Sequence, residues 1–109
     1  MAKGYWIAFY RAVHNPEKLA AYAKLAGPAI QAAGGKFLAR GTAAHAYESG
    51  VLQRTVVVEF PSVGHAVACH DGPAYKEALR VLGEGSADRI SASWRAWSSA
   101  APGGAVGPG

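Results

Sequence analysis

From Tyr5 to Val13 the chain reads YWIAFYRAV, a run of aromatic and branched residues that stops at the polar His14-Asn15-Pro16. Such a run suits a pleated, half-buried surface and predicts a first strand. Asn15 then fits a helix N-cap, Pro16 the first helical position, and Glu17 the positive end of the helix dipole. Leu19, Tyr22, Ala23, Ala26, Ile30 and Ala33 follow at helical spacing and predict one apolar stripe, with Gly34-Gly35 as its stop. Gly27-Pro28 interrupts the stripe. Pro28 cannot donate to the Lys24 carbonyl, which predicts a kink.

Lys36–Arg40 reads as a short strand closed by Gly41. Thr42–Arg54 reads as a long hairpin connection, with extra pairing expected around His45–Tyr47 before the Glu48-Ser49-Gly50 turn. RTVVVEF, Arg54–Phe60, is the strongest strand signal in the chain. Ser62 then caps a second helix on which Val63, Ala66, Val67 and His70 share a face. Asp71-Gly72-Pro73 breaks and restarts that helix, since proline is tolerated only in a first turn. Ala74, Ala78, Leu79 and Leu82 form the next stripe, which Gly83 and Gly85 end. RISASWRAW, Arg89–Trp97, alternates as a last strand.

The order β-α-β-β-α-β with right-handed crossovers predicts an α+β, ferredoxin-like sandwich, a four-stranded antiparallel sheet with both helices on one face. The first strand sets Trp6, Ala8 and Tyr10 against Tyr5, Ile7, Phe9 and Arg11; the third sets Val56, Val58 and Phe60 against Thr55, Val57 and Glu59. Both sets carry apolar residues, yet the helices cover one face only, and a solvated sheet face is normally polar. The pattern therefore predicts a homodimer whose two sheets face each other about a twofold axis. Arg11 and Glu59 fall on that same face and are expected to pair there, as a rim ion pair or a catalytic couple.

Composition sharpens the boundaries. Half of the 109 residues are apolar and 17% are charged, which suits one globular domain and not intrinsic disorder. The last twelve residues, SSAAPGGAVGPG, are the exception. They offer too little apolar surface to offset their ordering entropy, so residues 98–109 are expected to form a disordered tail behind a domain of residues 1–97. No apolar run reaches the roughly 18–20 residues of a membrane span. MAKGYW does not resemble a signal peptide, and one cysteine, Cys69, allows no intrachain disulfide; the expected location is the cytoplasm. The net charge of +4 is spread over eleven separated Lys and Arg residues. Spread in this way it makes no polybasic arm for nucleic acid or membrane; it reads first as an ordinary solvated surface, with a weak bias toward an anionic ligand.

Several segments taken in order resemble a known family. They are Gly4-Tyr5-Trp6-Ile7-Ala8, Phe37-Leu38-Ala39-Arg40-Gly41, Val58-Glu59-Phe60-Pro61-Ser62, Ala66–Cys69, and Pro73 with Tyr75. Together they resemble domain-of-unknown-function family 1330, small bacterial proteins of the dimeric α/β-barrel superfamily. The resemblance spans Met1 to about Ala96 and implies a ferredoxin-like protomer, with two protomers forming a dimeric α/β barrel. It implies no settled reaction, because the superfamily includes cofactor-free monooxygenases, isomerases, haem binders and plain ligand binders. His70, Thr42 and the Ser91–Trp97 stretch depart from the family's pattern.

The candidate chemistry is sparse. His70 beside Asp71 is a candidate base for proton abstraction, although Asp71 also fits a cap for the helix at Pro73 and His70 a packing role. Arg40 is a candidate for planar two-point contact with a carboxylate or phenolate, or a solvated strand-end charge. His45 joins Arg40 as a candidate for stabilising developing oxyanion charge. Trp6, Tyr10, Tyr22, His65 and Tyr75 are candidate ligand-binding residues in a cleft between sheet and helices, against the plainer reading of aromatic core. His65 and Cys69 make two possible zinc ligands where three are needed, and only His45 or His14 could bring a third across the fold, so neither metal nor cofactor is expected. The order βαββαβ also belongs to the RNA-recognition motif, but its aromatics belong on the third strand, which has only Phe60 here. The expected function is binding of a small aromatic or anionic molecule, with cofactor-independent proton transfer as its catalytic form. The alternative is a non-catalytic, ligand-binding or stress-associated dimer.

Overall fold

Asn15 and Ser62 each open a crossover as their side chains allow. Asn15 accepts a hydrogen bond from the Lys18 amide at 3.1 Å, and Ser62 accepts one from the His65 amide at 3.2 Å. In the computed structural model, which describes residues 2–48, 50 and 52–97, seven elements follow in order. They are β1 (Gly4–Val13), α1 (Pro16–Ala32), β2 (Lys36–Thr42), β3 (Arg54–Phe60), α2 (Val63–Asp71), α3 (Pro73–Leu82) and β4 (Ala87–Arg95). The sheet runs β2-β3-β1-β4 with every neighbouring pair antiparallel, the ferredoxin-like order.

The strand parity read from the sequence holds. Trp6, Ala8 and Tyr10 of β1 and Val58 and Phe60 of β3 are buried under the helices, with Tyr22, Ile30, Tyr75 and Leu82 facing them. On the other side Tyr5, Ile7, Phe9 and Val57 are half-buried with no helix above them. Register places Ile7 opposite both Val57 and Ala92, Phe9 opposite Ile90, and Tyr5 opposite Trp94. The bare face is therefore apolar across three strands.

Several expectations change in detail. α1 runs continuously through Pro28. The buried stripes of α2 and α3 are Ala66 and Cys69, then Tyr75, Ala78 and Leu82, leaving Val67 exposed. β3 extends its pairing with the strand before it only as far as Ala43, whose amide donates to Gln53 O at 3.0 Å; no pairing forms around His45–Tyr47 among the described residues. Glu59 pairs with Lys3 at 3.2 Å and accepts from the Tyr5 hydroxyl at 3.3 Å, not from Arg11. The cause is register: Tyr5 lies opposite Glu59, which leaves Arg11 six positions further along β1, about 20 Å away at strand rise. The expected tail, 98–109, lies outside the described residues.

Gly4 fixes how β1 meets α2. A Cβ there would lie 2.5 Å from the backbone N and Cα of Val63, closer than any side chain can sit. Only glycine allows the strand to start this near the helix.

Candidate functional site

The sheet and α1 leave a narrow cleft that opens to solvent at its mouth. Its floor is Trp6, Ala8 and Tyr10 of β1 with Val56 and Val58 of β3, and its roof is the apolar stripe of α1 from Leu19 to Ile30. The two ends differ. Phe37, Val58 and Trp6 align across β2, β3 and β1 near Ile30, making one end mainly apolar, with the indole N–H and the Arg40 guanidinium over Phe37 as its polar groups. That N–H is already engaged, donating to Ser91 Oγ at 2.6 Å.

The other end is cationic. Arg54 precedes Thr55, which pairs with Phe9, so Arg54 and Tyr10 are next in register on the helix-facing side. Its Nε is buried and has no hydrogen-bond partner among the described residues. Arg40 lies at the mouth. Its guanidinium stands over the Phe37 ring, 4.4 Å from the centroid, and Nη1 would lie 3.9 Å from a Cβ built on Gly27 of α1. Arg40 thus spans from β2 to α1. Among the described residues no carboxylate lines the cleft, and their ion pairs involve neither arginine.

Behind Tyr10 and Tyr22 stands Arg89 of β4, paired in register with Tyr10. Its Nη1 donates to the hydroxyls of Tyr10 and Tyr22 at 3.1 and 3.2 Å, and its Nη2 donates to that of Tyr75 at 3.4 Å. The Tyr22 and Tyr75 hydroxyls meet at 2.5 Å. Burial pushes the Tyr75 phenol well above its ordinary range; the adjacent Tyr22 adds to the effect and Arg89 opposes it. Burial also works against the charge on Arg89, but the Tyr22 and Tyr75 oxygens outweigh it and hold the guanidinium above its ordinary value. The cluster is a guanidinium surrounded by three phenol hydroxyls.

The family model described as Domain of unknown function (DUF1330) matches residues 3–92. The chain belongs to the DUF1330 family. Among solved structures, this DUF1330 chain is similar to a protein of unknown function from Rhodopseudomonas palustris, with 20% identity and a TM-score of 0.67 over 89% of this chain and 84% of that one. A methylated form of that protein gives 19% identity and a TM-score of 0.67 over 92% and 84%. A dimeric ferredoxin-like protein of unknown function from Thermobifida fusca YX follows at 17% identity and a TM-score of 0.52 over 87% and 92%. At these identities the likeness is one of fold. No curated protein matches the sequence significantly.

Of the residues expected to form a site, the DUF1330 fold brings Trp6, Tyr10, Tyr22 and Arg40 to one cleft. Tyr75 lies behind Tyr22 in the core. His70 and Asp71 do meet, Nδ1 to Oδ1 at 3.2 Å, but at the exposed end of α2 and outside the cleft lining. The His70 ring lies 5.6 Å from that of Trp6 and 5.3 Å from that of Tyr75, edges of the core. Asp71 does not cap α3; Gly72 holds that position without a side-chain bond. His65 is tied to Ser62, Nδ1 to Oγ at 2.6 Å, and His45 is exposed in the connection after β2. No three His, Cys, Asp or Glu side chains converge among the described residues, and burial raises the Cys69 thiol pKa, away from the thiolate a metal needs.

Two arginines escaped the sequence reading. Arg54 carried a usable signal: it shares the parity of Val56, Val58 and Phe60, so it is a charge on the helix-facing set. Arg89 needed the β1–β4 register, which alternation alone does not supply.

Proposed function

We propose that the cleft between α1 and the sheet binds a small organic anion with an apolar or aromatic body. One observation carries this: the charged residues in the lining are two arginines without carboxylate partners, one of them with a buried, unsatisfied Nε. Leaving a buried donor unmatched costs about 1–3 kcal/mol. A planar anion removes that cost, and the apolar end accepts its body. The described lining offers arginines and phenols to hold an anion, and the reading is therefore one of binding. The test is a titration followed by amide chemical shifts, with sodium benzoate against neutral benzamide. Benzoate is expected to move Ala23, Gly27 and Val56, with benzamide far weaker. Equal responses to the two, or shifts confined to other surfaces, sink the reading.

The same reading includes a homodimer. The apolar sheet face, with Leu38 49%, Ile90 50% and Trp94 51% exposed, supports a second copy packed against it, and the Thermobifida fusca neighbour is described as dimeric.

A further inference from the structure

The Arg89 cluster holds more hydrogen-bond donors than acceptors. Arg89 sends three bonds into the three tyrosine oxygens, and each hydroxyl brings a proton of its own. The contact between Tyr22 and Tyr75 uses one of these protons, and no described residue accepts the other two. Arg54 Nε, one register step from Tyr10, is a third unmatched donor. With Tyr75 donating to Tyr22, the two free protons belong to Tyr10 and Tyr22, which line the cleft beside Arg54, so in that arrangement the surplus gathers at its cationic end. Arg54, Tyr10 and Arg89 stand in a row across β3, β1 and β4, and no carboxylate of the described residues pairs with either arginine.

We propose that Arg54 and the hydroxyls of Tyr10 and Tyr22, held by Arg89 and Tyr75, form a receptor for the carboxylate of an aromatic monocarboxylic acid. This rests on the reading of the cleft as an anion site and gives the ligand its class and direction. Two carboxylate oxygens carry lone pairs enough for all three unmatched donors. The ring then lies toward Trp6, Phe37 and Ile30, where the cleft is apolar. A phosphate dianion fits less well, because its third oxygen face would meet that apolar end. Tyr10, Tyr22 and Arg54 touch the ligand; Arg89 and Tyr75 are positioning residues. The raised Tyr75 phenol keeps its proton through the neutral range, so the cluster offers donors and not a competing anion.

The experiment is calorimetric titration of the full chain with sodium benzoate, for the unaltered protein, Tyr10→Phe and Tyr22→Phe. Each variant keeps the ring and loses one hydroxyl donor. Affinity is expected to fall about tenfold or more in each, the effect of one hydrogen bond to a charged acceptor. A second readout needs no variant of the cluster: benzoate should shift the Arg54 Nε–H proton resonance downfield, with Arg54→Lys assigning the signal. Unchanged affinity in both Phe variants, with the Arg54 signal unmoved, overturns the receptor. If cleft amides still respond to benzoate in that case, the anion site itself survives. Absence of benzoate binding to the unaltered protein overturns both readings.

Discussion

Arg40 stacks on Phe37, its guanidinium carbon 4.4 Å from the ring centroid, although the two stand three positions apart on one strand. In a regular strand that spacing puts side chains on opposite faces. The β2–β3 pairing slips between Phe37 and Ala39, so Phe37 lies opposite Val58 and Arg40 opposite Val56, both on the helix side. The bulge re-aims the arginine into the cleft mouth.

Replacing Arg40 by Ala should weaken benzoate binding several-fold while costing stability only about 0.5–1 kcal/mol, the range for an exposed cation–π contact. Calorimetry and urea unfolding give the two numbers separately. Unchanged affinity would show that Arg40 is a solvated strand-end charge.

That bulge also marks the limit of what the chain discloses. Strict alternation assigns Phe37 and Arg40 to opposite faces, and nothing in FLAR announces the extra residue. The strand parities of β1 and β3, by contrast, are written plainly, because the helix-facing set of each is apolar over at least three alternate positions. The caps at Asn15 and Ser62 are local chemistry and equally plain. The His70–Asp71 pair forms because the residues are neighbours, but adjacency says nothing of which cavity a pair faces. The cleft depended on register between distant strands.

Gly4→Ala should destabilise the fold by about 2–3 kcal/mol, at the upper end of overpacking costs, because the atoms in its way are backbone. Denaturant midpoints measure this directly. A loss under half a kcal/mol would mean that β1 can withdraw from α2 freely.

The raised Tyr75 phenol predicts an alkaline weakness. Its folded-state pKa lies above the unfolded value, so above about pH 10 the unfolded chain releases this proton first and stability falls. Below that pH the contribution is fully present. Urea midpoints between pH 8 and 11.5 should drop on the alkaline side for the unaltered chain, and Tyr75→Phe should flatten that limb. An alkaline limb as steep in Tyr75→Phe as in the unaltered chain would contradict the assignment.

Ile7 sits mid-strand on the bare sheet face, opposite Val57 and Ala92. Sedimentation at micromolar concentration should give a species of twice the 11.3 kDa chain mass. Ile7→Lys should shift it to the single-chain mass without loss of helical signal. A single-chain mass for the unaltered protein would remove the dimer.

The most direct test is a crystal grown with 4-bromobenzoate, in which the anomalous bromine signal reports both place and direction. The account predicts bromine between Phe37, Trp6 and Ile30, with the carboxylate against Arg54 and the hydroxyls of Tyr10 and Tyr22. Bromine at the Arg54 end, or bound only on the outer sheet face, would contradict it.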